Sequence, residues 1–217
     1  MSARLQLPRV YPIIDAAQFR GEPSAILQFA GNLITAGATF IQYRDKSQDI
    51  PRILSCAREL QRVTRDRATL IINDRTDLCL AADAGGVHLG QDDLSPAATR
   101  RIFTASEQNA PAGRKLWIGF STHNMDQVRE ADQMPVDYIA VGPVFATAAK
   151  ANPDPVIGLD GLRQARAATT KPLVAIGGIT RKNCREVMEA GADSVAVITD
   201  LLGSPAKAFA EFLRVLG

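Results

Sequence analysis

The feature that most constrains this chain is a repeated alternation. Short apolar runs recur along its length, each followed by a stretch with helical apolar spacing. The strand-like runs are Arg9–Asp15, Thr39–Arg44, Ala68–Ile72, Gly85–Asp93 with its polar end, Leu116–Phe120, Asp137–Val141, Pro172–Ile176 and Ser194–Ile198. Helical patterns occupy Glu22–Ala36, Asp49–Asp66, Asp77–Ala84, a stretch after Ser95-Pro96, Met125–Ala131, Asp160–Ala168, Arg181–Ala190 and Pro205–Leu216. Continuous apolar strands separated by helices are the pattern of parallel strands with crossover connections, buried on both faces. With 217 residues, roughly eight such units predict a single (β/α)8 barrel spanning residues 1–217. An open doubly wound sheet is the structural alternative.

The polar residues fall where the runs stop. Phe40-Ile41-Gln42-Tyr43-Arg44-Asp45-Lys46 begins apolar and ends charged. Residues two apart share a face of a strand, so Gln42, Arg44 and Lys46 point one way with Phe40 below them. Other strand ends carry Asn73-Asp74, His88 with Gln91 and Asp93, Ser121 with His123, Gly177-Gly178, and Ile198-Thr199. Thr147 and Lys150 lie in the long segment Val144–Leu159, which reads as a binding loop or lid. In a barrel all these ends converge on one rim.

Their chemistry suits a metal-bound polyanion. Asp74 and Asp93 could share a hard cation such as Mg2+, with Arg44, Lys46 and Lys150 neutralising phosphate oxygens. Gly177-Gly178 after the seventh strand suits a separate phosphate, because glycine lets backbone N–H groups approach the anion. Each element alone also has a bland reading: a basic strand end, an Asx-turn at Asn73-Asp74, an ion-pair network, a tight turn.

Composition excludes other classes. A net charge of +2 with no basic run argues against a nucleic-acid partner. No apolar run reaches membrane-spanning length and the first ten residues lack a signal-peptide core, so a cytoplasmic location is expected. Cys56, Cys79 and Cys184 are widely spaced and odd in number, which predicts free thiols, not a disulfide or zinc framework.

Taken together, Gln42-Tyr43-Arg44-Asp45-Lys46, Asn73-Asp74-Arg75, Gly86-Val87-His88-Leu89-Gly90-Gln91-Asp92-Asp93, Gly119-Phe120-Ser121-Thr122-His123, Gly142-Pro143-Val144-Phe145 and Ala175-Ile176-Gly177-Gly178-Ile179 resemble the motifs of thiamine phosphate synthases. They occur in that family's order and cover nearly the whole chain. The resemblance implies a transferase that joins hydroxymethylpyrimidine diphosphate to thiazole phosphate, with Mg2+ as cofactor. It assigns the pyrimidine to Gln42 and His88. It assigns the diphosphate to Arg44, Lys46, Asn73, Ser121 and Lys150, and Mg2+ to Asp74 and Asp93. The thiazole phosphate goes to Thr147, Gly178, Ile198 and Thr199. Arg44, Lys46, Ser121 and Lys150 are the catalytic candidates, and a homo-oligomer is possible within such a family. The chain departs from the family's usual Thr-x-Thr-Lys at Thr147-Ala148-Ala149-Lys150, and Ala146 stands where proline is common. Three other readings share the fold: a thiazole tautomerase with His123 as base, a phosphate-ligand sensor without catalysis, and another phosphate-binding barrel enzyme such as one of amino-acid biosynthesis.

Overall fold

The computed structural model describes residues 5–108, 115–147 and 154–217. Its strands are β1 (Val10–Asp15), β2 (Phe40–Arg44), β3 (Thr69–Asn73), β4 (Gly86–Leu89), β5 (Trp117–Thr122), β6 (Tyr138–Val141), β7 (Leu173–Ile176) and β8 (Ser194–Val197). They form a closed parallel barrel in sequence order. β1 closes against β8 with Val10 opposite Val195 and Pro12 opposite Val197. This is the (β/α)8 barrel, and the open doubly wound alternative is excluded by that closing pair.

The helices are α1 (Pro23–Thr35), α2 (Ile50–Thr64), α3 (Thr76–Ala81), α4 (Pro96–Gln108), α5 (Met125–Gln133), α6 (Gly158–Ala168), α7 (Cys184–Glu189) and α8 (Pro205–Leu216). Local capping explains several starts. Asp49 accepts the Arg52 N–H, Asn124 accepts the Gln127 N–H, and Ser95 Oγ accepts the Ala98 N–H. Boundaries differ from expectation by a residue or two at several ends, and four differences bear on the fold. α3 stops at Ala81, and Ala82 and Asp83 turn the chain, Asp83 with φ of 59°. α5 runs on to Gln133, and α6 begins at Gly158, whose N–H donates to Val144 O. α7 begins at Cys184, not Arg181. Asp200 holds both the N–H and the guanidinium of Arg181, and Asn183 Oδ1 accepts the Thr180 N–H, so the chain turns before it coils. Short 3-10 turns at Ala16–Phe19 and Thr199–Leu201 follow β1 and β8.

Two apolar layers follow from the strand alternation. The larger lies between strands and helices, with residues such as Ile14, Ile41, Ile72, Val87 and Val197. The smaller fills the barrel: Tyr11, Ile13, Phe40, Ile71, Tyr138, Ala140, Val174 and Ala196, with Leu5, Leu7 and Trp117 beneath. Tyr11, Phe40 and Tyr138 meet edge-on, with ring centroids 4.8 Å apart for Tyr11–Phe40 and 6.0 Å for Phe40–Tyr138. Large rings fit because neighbouring inward positions are small. A β-carbon at Gly119 would lie 2.1 Å from Tyr138 Cζ and 2.5 Å from His88 Nδ1. All three cysteines are buried and outside any disulfide, and no described helix is long and apolar enough to cross a membrane.

Gly119→Ala should therefore destabilise the barrel by about 1–3 kcal/mol through overpacking. At about 2–4 °C per kcal/mol for a chain of this size, thermal unfolding reads the loss. An unchanged midpoint would mean that the Tyr138 ring can move aside freely.

Candidate active site

The barrel's C-terminal mouth opens into a cavity of about 480 Å³, within the range of small-molecule sites. Gln42, Arg44, Lys46, Asn73, Asp74, His88, Asp93, Ser121, Thr147, Gly178, Ile198 and Thr199 all line it. Gln91, Asp92 and His123 do so as well. The structure thus brings together every nominated site residue within its described portion; Lys150 and Ala149 lie outside it.

One side of the mouth is charged. Asp74 and Asp93 face each other closely. Burial raises the Asp93 carboxyl pKa, the Gly90 N–H (2.6 Å) opposes the rise, and the adjacent Asp74 adds to it. Lys46 pairs with Asp74. Arg44 Nη1 reaches Asp15 Oδ2 at 2.6 Å, and Asp15 Oδ1 also accepts the Ala17 N–H. Asp15 thereby aims the guanidinium across the rim and starts the following turn. Asn73 is half-buried, and its Nδ2 is buried without a hydrogen-bond partner among the described residues. An amide donor left in that state is suited to an incoming acceptor.

The floor is a chain of neutral hydrogen bonds. Gln42 Nε2 donates to Tyr11 Oη (2.8 Å), Tyr11 and Tyr138 hydroxyls lie 3.0 Å apart, and Tyr138 Oη lies 3.1 Å from His88 Nδ1. His88 Nε2 lies 2.8 Å from Ser121 Oγ. Tyr11 and Tyr138 were missed in the sequence because they sit inside apolar runs. The signal available was alternation, which places Tyr11, Ile13 and Asp15 on one face of β1.

The opposite side is backbone. Gly177 and Gly178 have φ of 100° and 64°, and a β-carbon at Gly178 would lie 2.5 Å from Ala146 O. Only glycine fits there without strain. The Gly178 carbonyl accepts Asn183 Nδ2 (3.1 Å), whereas its N–H takes no backbone acceptor among the described residues.

Comparison with known proteins identifies the family. The family described as "Thiamine monophosphate synthase" matches residues 10–201. The chain belongs to the thiamine monophosphate synthase family. It is 52% identical to the thiamine-phosphate synthase of Koribacter versatilis, covering 100% of this chain and 99% of that one. It is 43% identical to that of Methanoregula boonei, covering 90% and 86%. Among solved structures, thiamine phosphate pyrophosphorylase from Pyrococcus furiosus superposes with a TM-score of 0.80 at 31% identity, covering 96% and 95%.

Within this family member, His88 gives a pH-dependent signature. Burial pushes the imidazole down to about 4, with Asp74 opposing. The folded state prefers the neutral ring, and the unfolded chain takes up the proton first, near 6.5. Stability is complete above about pH 6.5 and is lost as pH falls toward 4, by about 3 kcal/mol. Urea unfolding at pH 7 and pH 4 should show that extra loss in wild type relative to His88→Gln. Equal losses in both would remove His88 as its source.

Proposed function

We propose that the protein joins hydroxymethylpyrimidine diphosphate to the thiazole phosphate, giving thiamine phosphate and diphosphate, or to its carboxylated form with carbon dioxide released as well. The observation that carries this reading is the division of one cavity mouth. Paired carboxylates and cations stand on one side, and a glycine loop whose Gly178 N–H has no backbone acceptor among the described residues stands on the other. That division suits one metal-bound diphosphate and one separate monophosphate.

Among the described residues no group of three or more His, Cys, Asp or Glu forms a closed metal cage. Two carboxylates still fit Mg2+, which is commonly held by one or two carboxylates together with substrate phosphates and water. The raised pKa of Asp93 beside Asp74 marks a pair whose shared negative charge a cation would relieve. Asp74 and Asp93 would hold the ion, which supplies charge neutralisation to the departing diphosphate.

In this reading Gln42 and His88 orient the pyrimidine at the floor. Arg44, Lys46, Asn73, Ser121 and Lys150 hold the diphosphate oxygens. The carbon–oxygen bond to the diphosphate breaks with the electron pair leaving on oxygen. The thiazole nitrogen then donates its lone pair to the resulting pyrimidine-methyl cation. No proton has to move at the reacting carbon, so positioning and electrostatics do the work. Thr147, Gly178, Ile198 and Thr199 hold the thiazole phosphate on the far side.

Incubation with both substrates and Mg2+ should yield thiamine phosphate, and the product should disappear with EDTA or in Asp74→Ala. Isomerisation of carboxylated thiazole phosphate without condensation would instead favour the tautomerase reading with His123 as base. Ligand binding without either reaction would favour the sensor.

The family's missing hydroxyl gives a second test. Ala149→Thr should lower KM for thiazole phosphate by up to about tenfold, the equivalent of one neutral hydrogen bond. An unchanged KM would place that side chain away from the substrate.

A further inference from the structure

We propose that Tyr11 and Tyr138 are positioning residues that, through His88, fix Ser121 as a hydrogen-bond donor to the diphosphate. The ligand assigned to Ser121 rests on the functional reading above. The direction of the chain rests on its own geometry.

The direction follows from donor counting. Gln42 Nε2 is a donor only, so Tyr11 Oη accepts from it at 2.8 Å. The single Tyr11 hydroxyl proton is then donated to Tyr138 Oη, 3.0 Å away. Tyr138, having accepted, donates its own proton to His88 Nδ1 at 3.1 Å. A neutral imidazole with an accepting Nδ1 carries its proton on Nε2, which is 2.8 Å from Ser121 Oγ. Ser121 Oγ accepts that proton, and its own hydroxyl hydrogen remains for the cavity that Ser121 lines.

The opposite direction has a definite consequence. If the Gln42 amide were turned, Tyr11 would donate to its carbonyl, Tyr138 to Tyr11, and His88 Nδ1–H to Tyr138. Ser121 would then spend its hydrogen on His88 Nε2 and present only lone pairs to an anion. Diphosphate oxygens accept and do not donate, so this arrangement would oppose binding in the charged state that develops as the bond breaks. The proposed direction also turns the Gln42 carbonyl away from Tyr11, where it can accept from an amino group on a bound heterocycle. Two contacts on opposite sides of the floor are coupled through four hydrogen bonds. The path is buried: Tyr11, Gln42 and Tyr138 are at most 2% exposed. Water has no easy route to reset the links from Gln42 through Tyr11 to Tyr138. His88 and Tyr138 rings are stacked with centroids 5.5 Å apart, which holds the imidazole in register.

Histidine labelled with 15N reads the tautomer directly. The chain contains two histidines, and His88→Gln assigns the signals. The unliganded wild type at neutral pH should carry the His88 proton on Nε2. A proton on Nδ1 would reverse the chain and overturn the proposal. Tyr138→Phe should give mixed tautomers and lower kcat on the order of tenfold, one hydrogen bond's worth, with KM for the pyrimidine diphosphate within about twofold. In a Ser121→Ala background the same substitution should cost less than about twofold. A full tenfold loss there would show that Tyr138 acts by another route and would overturn the proposal. Tyr11→Phe runs the same cycle should Tyr138→Phe fail to fold. Absence of thiamine phosphate from the wild type would sink the functional reading and leave the chain's direction to the spectrum.

Discussion

Pairing of β1 with β8 is the contact on which the rest of the molecule depends. An open parallel sheet would spread its strand ends along a line. Closure bends that line into a ring, so Arg44 on β2, Asn73 on β3 and Ser121 on β5 face one space. The registers keep the ring level: Asp15 stands opposite Arg44, and Asn73 opposite His88. The Asp15–Arg44 ion pair is a direct product of that register. Closure also leaves no β edge unpaired in the barrel.

Closure has a cost, which is the shape of the interior. Eight strands leave room for side chains and little else. Here three aromatic rings share the space with Gly119, Ala140 and Ala196. Two of the rings, Tyr11 and Tyr138, carry hydroxyls, and a buried hydroxyl without a partner would be expensive. Each is satisfied by the next group in line, ending at Ser121 in the mouth. Burial raises the pKa of both tyrosines, so they stay neutral and act only as hydrogen-bonding groups. The core and the site are therefore one continuous object: the same ring of Tyr138 packs against Phe40 and orients His88.

Much of this was legible in the sequence, for identifiable reasons. Strand type and order followed from apolar runs such as Leu70–Ile72, whose composition admits few other structures. Placement of Gln42, Arg44 and Lys46 followed from period two. Three things were not legible. Tyr11 and Tyr138 read as ordinary strand residues, because a hydroxyl's partner lies across the barrel, 127 positions away in the chain. Asp15 read as a strand end, because its pairing with Arg44 depends on register, which no local pattern encodes. The start of α7 was misplaced because Arg181 is held by Asp200 from the next unit. Each is a case in which a tertiary contact decides what local propensity leaves open.

The charged rim shows why such a site needs both signs. Asp74 and Asp93 close together repel, and that repulsion would be relieved by protonation, by Lys46 or by a cation. Lys46 is flexible and more than half exposed, so its pairing with Asp74 is worth little as a clasp. Its use is elsewhere. In the proposed function, a diphosphate arriving with a metal ion would bring positive charge to the carboxylates and negative charge to the cations at once. Lys46 would then exchange Asp74 for a phosphate oxygen at small cost, because it would give up a weak solvent-screened pair. Arg44 cannot make that exchange as easily: Asp15 is buried, and leaving its carboxylate unpaired would be costly. The two cations of one strand end are thus unequal by construction. In the proposed function Arg44 would be the fixed wall of the anion site, and Lys46 the part free to change partners.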